Sequence, residues 1–179
     1  MTATFSDIRL RPWGVDDLPI LERLLGDPGM TVHLGGPESP AKLRWRHKSY
    51  LEAGPEIGRM FVIVLGPEEQ EVGSVGYWPL EWQGGIVWES GWSVLPDFQG
   101  RGIGSRAAVL AAELARLDAP RRTIHAFPSI DNAASNASCR KAGFTLRGET
   151  EFEYPVGNHI RCNDWVLETT GDGSDHDRI

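Results

Sequence analysis

The stretch Ile86–Arg106, IVWESGWSVLPDFQGRGIGSR, decides how the rest of the chain is read. Ile86 to Val94 is a run of β-forming residues, and Leu95-Pro96-Asp97 turns the chain out of it. The glycine-rich loop Gln99-Gly100-Arg101-Gly102-Ile103-Gly104-Ser105 then opens directly into a helix. Ile103, Ala107, Leu110, Ala111, Leu114 and Leu117 recur at intervals of three and four, which predicts one apolar helical face. Strand, glycine loop and helix N-terminus together make an anion site. Unpaired backbone N–H groups converge there, and the helix dipole adds about half a positive charge. A side chain in place of the glycines would hold a phosphate away from those amides. Arg101 or Arg106 can add charge-assisted bonds.

Upstream, Ile8 and Leu10 alternate with Arg9 and Arg11 in a short strand stopped by Pro12. A helix follows, capped by Asp16, with Leu18, Leu21, Leu24 and Leu25 on one face. A Gly/Pro-rich loop leads to a second helical stretch, about Ser39 to Glu52, containing the basic, aromatic run Arg44-Trp45-Arg46-His47-Lys48. That run reads as a solvated helix face, with a substrate-side wall as the alternative. The uninterrupted apolar run Phe61–Leu65 predicts a central strand, and Val72 to Tyr77 returns as its hairpin partner, ended by Pro79. The glycine loop therefore follows antiparallel strands midway along the chain. A Rossmann loop would follow a first parallel strand, and a Walker loop needs the GK[ST] that is missing here.

Downstream, the pattern predicts a strand Thr123–Phe127 and a short helix Ala133–Ala142, capped by Asn132 and closed by Gly143. Two more strands, Phe144–Tyr154 and Ile160–Leu167, flank a turn. One domain over residues 1–169 is expected, and the nearly apolar-free residues 170–179 read as a disordered tail. The net charge of -7 argues against a nucleic-acid or anionic-membrane surface, since both reward Lys and Arg. No stretch approaches the roughly 18 apolar residues of a transmembrane helix, and the N-terminus lacks the basic start and apolar run of a signal peptide. Two cysteines without metal spacing, Cys139 and Cys162, fit reduced thiols. A cytoplasmic protein is expected, and no metal is implied by the spacing of the five histidines.

With these elements in order, the sequence resembles the GNAT superfamily of acyl-CoA-dependent N-acetyltransferases. Gln99, Gly102 and Gly104 match its loop signature Q/R-x-x-G-x-G/A. Asn132, Ser135, Lys141, Gly143 and Phe144 match a second signature, N-x-x-S followed by K-x-G-F. The segment DNAASNASCRKAGFTLRG is similar to the RimL-type branch, which acetylates the N-terminal α-amines of ribosomal proteins. The resemblance implies an α/β (α+β) fold with a mixed, mostly antiparallel central sheet flanked by helices. It also implies acetyl-CoA as co-substrate, a primary amine as acceptor, and a monomer or homodimer. By the resemblance the amides of Gln99, Gly100, Arg101, Gly102, Ile103, Gly104 and Ser105 hold the pyrophosphate. Trp92, Ser93 and Val94 run beside the pantetheine arm, which Asn132 also contacts, and Ser135 lies near the sulfur, able to protonate the leaving thiolate.

Transfer to an amine requires a proton acceptor and stabilisation of a developing oxyanion, the latter by an N–H near a bulged strand. Glu89 is the first candidate base, because burial among Trp88, Trp92 and Val94 would raise its pKa toward neutrality. Its bland alternative is a glutamate facing solvent or an arginine. Glu153, in the pair Glu153-Tyr154, is the second candidate, by likeness to a glutamate of RimL-like proteins. Many relatives carry a tyrosine acid where Cys139 stands; here Cys139 reads as a small buried hydrophobe. Glu149, Glu151 and Glu153 alternate on one strand face, with Trp78, Trp82 and Trp88 as neighbours, and acidic and aromatic walls suit a cationic acceptor. A protein N-terminus, a polyamine and an aminoglycoside all qualify. A sensor that binds acyl-CoA without turnover is the reading from a different class.

Overall fold

The computed structural model describes residues 7–119 and 122–168. The expectation of a disordered tail at residues 170–179 lies outside the described residues.

The strands are β1 (Ile8–Pro12), β2 (Arg59–Leu65), β3 (Gln70–Trp82), β4 (Gly85–Val94), β5 (Ile124–Ala126), β6 (Thr145–Glu153) and β7 (His159–Leu167). The helices are α1 (Leu18–Leu25), α2 (Pro40–Leu51), α3 (Ile103–Asp118) and α4 (Ala133–Lys141). The strands form one sheet in the order β1-β2-β3-β4-β5-β7-β6. Every pairing is antiparallel except β4–β5. This is the mixed, mostly antiparallel sheet expected from the sequence.

β2 explains why its sequence is continuously apolar: the sheet is covered on both faces. Phe61 and Ile63 join a core beneath α3, with Val72, Val75, Tyr77 and Trp88. Met60, Val62 and Val64 point the other way, into a core with Ile20, Leu21 and Leu24 of α1 and Leu43 of α2. Each such fully buried side chain contributes about 1.5–3 kcal/mol. α3 presents alanines to the sheet (Ala107, Ala108, Ala111, Ala112 and Ala115), so its backbone sits close. Leu110 and Leu114 pack only at the edge of this core, and Leu117, expected on the apolar face, is 79% exposed.

Two boundaries differ from expectation for reasons visible in the register. β3 does not end at Pro79, which pairs with Trp88 inside the strand. The imide nitrogen of Pro79 faces the β2 side, and β2 begins at Arg59, opposite Tyr77, so the ladder loses nothing. At α1 the N-cap is Asp17 rather than Asp16, and its carboxylate caps no helical N–H. It accepts instead from the Gly14 amide at 2.6 Å and from Arg11 at 2.8 and 3.0 Å.

Candidate active site

The site is made by two strands that part. β4 and β5 pair only at Trp88↔Ile124 and Glu89↔His125. The Trp88 amide donates to Thr123 O at 2.9 Å, so by strand alternation the amides and carbonyls of Ser90, Trp92 and Val94 also face the β5 side. β5 ends at Ala126, and these groups therefore open onto a gap. Val94 O is claimed there by Gln99 Nε2 at 2.8 Å. The pairing of β3 with β4 runs from Gly73↔Val94 to Trp82↔Gly85 without a shift; register shifts fall elsewhere, at Val72 of β3 opposite Ile63/Val64 and between Leu146 and Gly148 of β6. The expected bulged strand beside the reaction centre is thus replaced by a regular strand whose neighbour diverges.

The gap is continuous with a cleft of about 910 Å³. At one end stands the N-terminus of α3. Gly100 and Gly102 take the left-handed conformation (φ 73° and 77°), which folds the loop tightly before the first helical turn. A Cβ on Gly104 would lie 3.2 Å from Trp92 and 3.4 Å from Ser138 Oγ, so glycine there lets α3 approach both β4 and α4. Gln99, Gly100, Gly102, Ile103, Gly104 and Ser105 line the cleft together with Trp92, Ser93 and Val94. Arg101 does not: its guanidinium folds back to Asp97 O at 2.8 Å and lies over the Phe98 ring. Its side chain is therefore corrected to a brace of the preceding turn.

α4 supplies the facing wall. Asn132 caps it, accepting from the Ser135 amide at 3.1 Å, and Asn132, Ser135, Ser138 and Lys141 line the cleft. Cys139 is fully buried in the core below α3, and burial pushes its thiol up to about 12. Ser138 was missed in the sequence, although its i+3 spacing from Ser135 carried the signal.

Glu89 lines the cleft at the point where the strands part. Alternation separates it from Trp88, which points into the opposite core, and places it across from Trp78. The Trp78 indole N–H donates to Glu89 Oε2 at 2.7 Å. Gly91 makes this possible, since a Cβ there would lie 2.9 Å from the Trp78 ring. Burial raises the Glu89 pKa to about 7, and the Trp78 bond offsets only part of that.

The other candidate base is corrected by the structure. Glu153 is exposed, does not line the cleft, and accepts the Gly157 amide at 2.7 Å in the β6–β7 turn. Glu149 and Glu151 are exposed on the same strand, with Glu149 paired to Arg161, so the acidic face looks to solvent. The intervening Phe152, followed by Tyr154, faces the cleft instead. Of the three tryptophans expected beside the acceptor, Trp78 lines the cleft, Trp82 packs behind Phe127 and Phe152, and Trp88 is in the core.

The basic run of α2 is divided between the two expected faces: Trp45 and Arg46, with the following Ser49, line the cleft, while Arg44 and Lys48 are exposed to solvent. Arg46 pairs with Glu38 through two bonds and donates to Tyr154 Oη at 3.0 Å and Tyr50 Oη at 3.4 Å. Burial opposes the charge on Arg46, but Glu38 outweighs it and the pKa is raised. Among the described residues no three His, Cys, Asp or Glu side chains cluster as a metal site. No helix among them is long and apolar enough to cross a membrane.

A family model, the acetyltransferase (GNAT) domain, matches residues 7–145, and the chain belongs to that family. It is an acetyl-CoA-dependent N-acetyltransferase. The fold is shared with several solved structures. Spermidine N-acetyltransferase from Vibrio cholerae, in complex with CoA and spermine, is 16% identical with a TM-score of 0.74, over 92% of this chain and 96% of that one. The aminoglycoside acetyltransferase AAC(6')-Ib with coenzyme A is 19% identical, TM-score 0.72, over 90% and 94%. RimL, the ribosomal L7/L12 alpha-N-protein acetyltransferase with coenzyme A, is 21% identical, TM-score 0.70, over 91% and 94%. Comparison with curated proteins gives no match.

Proposed function

We propose that the enzyme acetylates the α-amine at a protein N-terminus, with Glu89 as the general base. The observation that carries this reading is the placement of Glu89: a buried carboxylate with a pKa of about 7, at the point where β4 and β5 part. Acetyl-CoA supplies the activated thioester. The residues present fit it: a glycine-lined helix N-terminus for phosphates, an unpaired strand edge for an amide-bearing arm, and one cleft that both of them line.

In this reading the loop amides from Gly100 to Ser105 bind pyrophosphate, including the Arg101 amide but not its side chain; the Gln99 amide is engaged with Pro96 O at 3.2 Å. Ser90 and Trp92 present main-chain N–H groups to a carbonyl in the gap, where low dielectric strengthens them. Glu89, ionised above about pH 7, takes the proton of the incoming ammonium. The Trp78 indole holds the carboxylate in place. Ser135, with Ser138 beside it, offers a hydroxyl on the wall facing the gap, and Ser135 is assigned the proton donated to the departing thiolate. These two hydroxyls supply the candidate donor that the absence of a tyrosine at Cys139 called for, which supports turnover over a sensor role.

The α-amine is favoured over a polyamine by proton affinity. An α-amino group has a pKa of about 8 and a lysine-like amine about 10.4. A base near 7 deprotonates the former at far smaller cost. The RimL enzyme, whose fold this chain shares, is an alpha-N-protein acetyltransferase. The test is thiol release from acetyl-CoA with a short peptide bearing a free N-terminus. Turnover abolished by acetylating that terminus is expected. Turnover that persists on the blocked peptide through a lysine side chain would sink the assignment.

A further inference from the structure

The acceptor end of the cleft carries a charge pattern opposite to the one expected from the sequence. Among the cleft-lining residues Glu89 is the single carboxylate, whereas Arg46, Arg59 and Lys141 are cationic. Arg46 is neutralised by Glu38, and Arg59 by Asp118 at 2.7 and 3.2 Å, so neither wall has negative charge to spare. The strand carboxylates Glu149 and Glu153 are turned outward and engaged with Arg161 and the Gly157 amide. One ammonium is accommodated at Glu89; a second finds no other carboxylate among the cleft-lining residues.

The remaining wall is apolar. Trp45, Trp78, Phe127, Phe152 and Tyr154 face the cleft, and Phe127 stacks on Phe152 with ring centroids 4.6 Å apart. At its mouth Val32, Trp45 and Ile57 are 70%, 65% and 61% exposed. These are three of the nine large hydrophobics exposed among the described residues, gathered on one opening. Such a collected apolar rim marks a surface that is covered in use. The aromatic rings can hold a cation by their faces, but that attraction is weaker than a carboxylate and does not replace the second acid a polycation needs.

We infer that the acceptor is a peptide N-terminus carrying one ammonium and a large apolar first side chain. The α-amine meets Glu89, and the side chain packs against Trp45 and the Phe127–Phe152 pair. Polyamines and aminoglycosides are excluded by their additional charges. This rests on the acetyl-transfer reading of the site.

The experiment compares kcat/KM for four acceptors on the full chain: a hexapeptide beginning with phenylalanine, the same peptide beginning with serine, phenethylamine, and spermidine. Acetyl-CoA binding is followed separately by calorimetry. The expected result is a phenylalanine-first peptide at least tenfold better than each of the others. Trp45→Ala is expected to raise its KM about tenfold, with little change for the serine-first peptide. Ile57→Glu, which adds a negative charge at the rim, is expected to improve spermidine about tenfold. A serine-first peptide or spermidine equal to or better than the phenylalanine-first peptide would overturn the inference while leaving the transferase reading intact. A better phenethylamine would overturn the peptide source. Acetyl-CoA binding with no turnover of any amine would overturn the transferase reading itself.

Discussion

At the scale of single residues, Glu89 is where burial becomes chemistry. A glutamate titrating at about 7 predicts a limb of kcat/KM that rises through about pH 7. Glu89→Gln should lower kcat by 10²–10⁴-fold, the usual worth of a general base, and remove that limb, with acetyl-CoA affinity unchanged in calorimetry. The same residue has a stability cost of definite sign. Its folded pKa lies above the unfolded value of 4.5, so the native state holds the proton longer. Stability contributed by Glu89 is full below about pH 4.5 and is lost as pH rises to about 7. Glu89→Gln should therefore be more stable than wild type at pH 8, by an amount on the order of 1–3 kcal/mol, read as a urea midpoint. Cys139 is the contrasting case. Its thiol is held neutral by burial, so native protein should resist alkylation there, and Cys139→Ala should keep activity within about twofold while losing about 1 kcal/mol. Glu89 was readable as a candidate, but not through its sequence neighbours: Trp88, Trp92 and Val94 belong to the core on the other face of β4, and it is Trp78 across the strand pair that meets its carboxylate. Glu153 misled because alternation along a strand says which residues share a face, but not which face is wet.

At the scale of elements, the loop before α3 was the most legible part of the chain. Its glycines are required by backbone geometry, and geometry of that kind leaves its mark in residue type. Gly102→Glu should abolish acetyl-CoA binding in calorimetry by placing a carboxylate before the helix N-terminus. Gly102→Asn, whose side chain tolerates a positive φ, should bind within about tenfold of wild type. Equal loss in both would mean that strain rather than phosphate repulsion is responsible. Less legible was anything set by partnership between distant elements. Pro79 looked like a strand end, yet it sits opposite Trp88 because β2 has not begun at that height. The basic run in α2 looked solvated because nothing local announces that Arg46 meets Glu38 and Tyr154. The helix itself was legible, and Leu43 and Tyr50 do reach the core; what its spacing could not show is the polar partnership on its other side.

At the scale of the molecule, two features tie the halves together across the cleft. One is the cluster of Arg46, Glu38 and Tyr154, which fastens α2 and its preceding loop to the end of β6. Burial would raise the Glu38 pKa, but Arg46 and Lys42 outweigh it and hold it below 4.5. Its contribution is therefore present above about pH 4.5 and lost as pH falls through the lowered value. Arg46→Leu should cost about 1–3 kcal/mol near neutrality, since it leaves Glu38 only the partly exposed Lys42 at 3.1 Å, and less below pH 4. Tyr154→Phe should cost only about 1 kcal/mol. The other feature is the seam in the sheet, where β4 and β5 share two residue pairs and then separate. A sheet edge is ordinarily a hazard, because another polypeptide can pair with it and start aggregation. Here an edge has been moved indoors, between two halves of the same sheet, where a second protein strand cannot enter edgewise but a thin flexible molecule can. On the proposed reading the co-substrate serves as a removable rung of the protein's own architecture. Amide exchange at Ser90 and Trp92 should be fast in the empty enzyme and slow when the seam is filled. At 100 times its dissociation constant, ligand should add about 2.7 kcal/mol to unfolding.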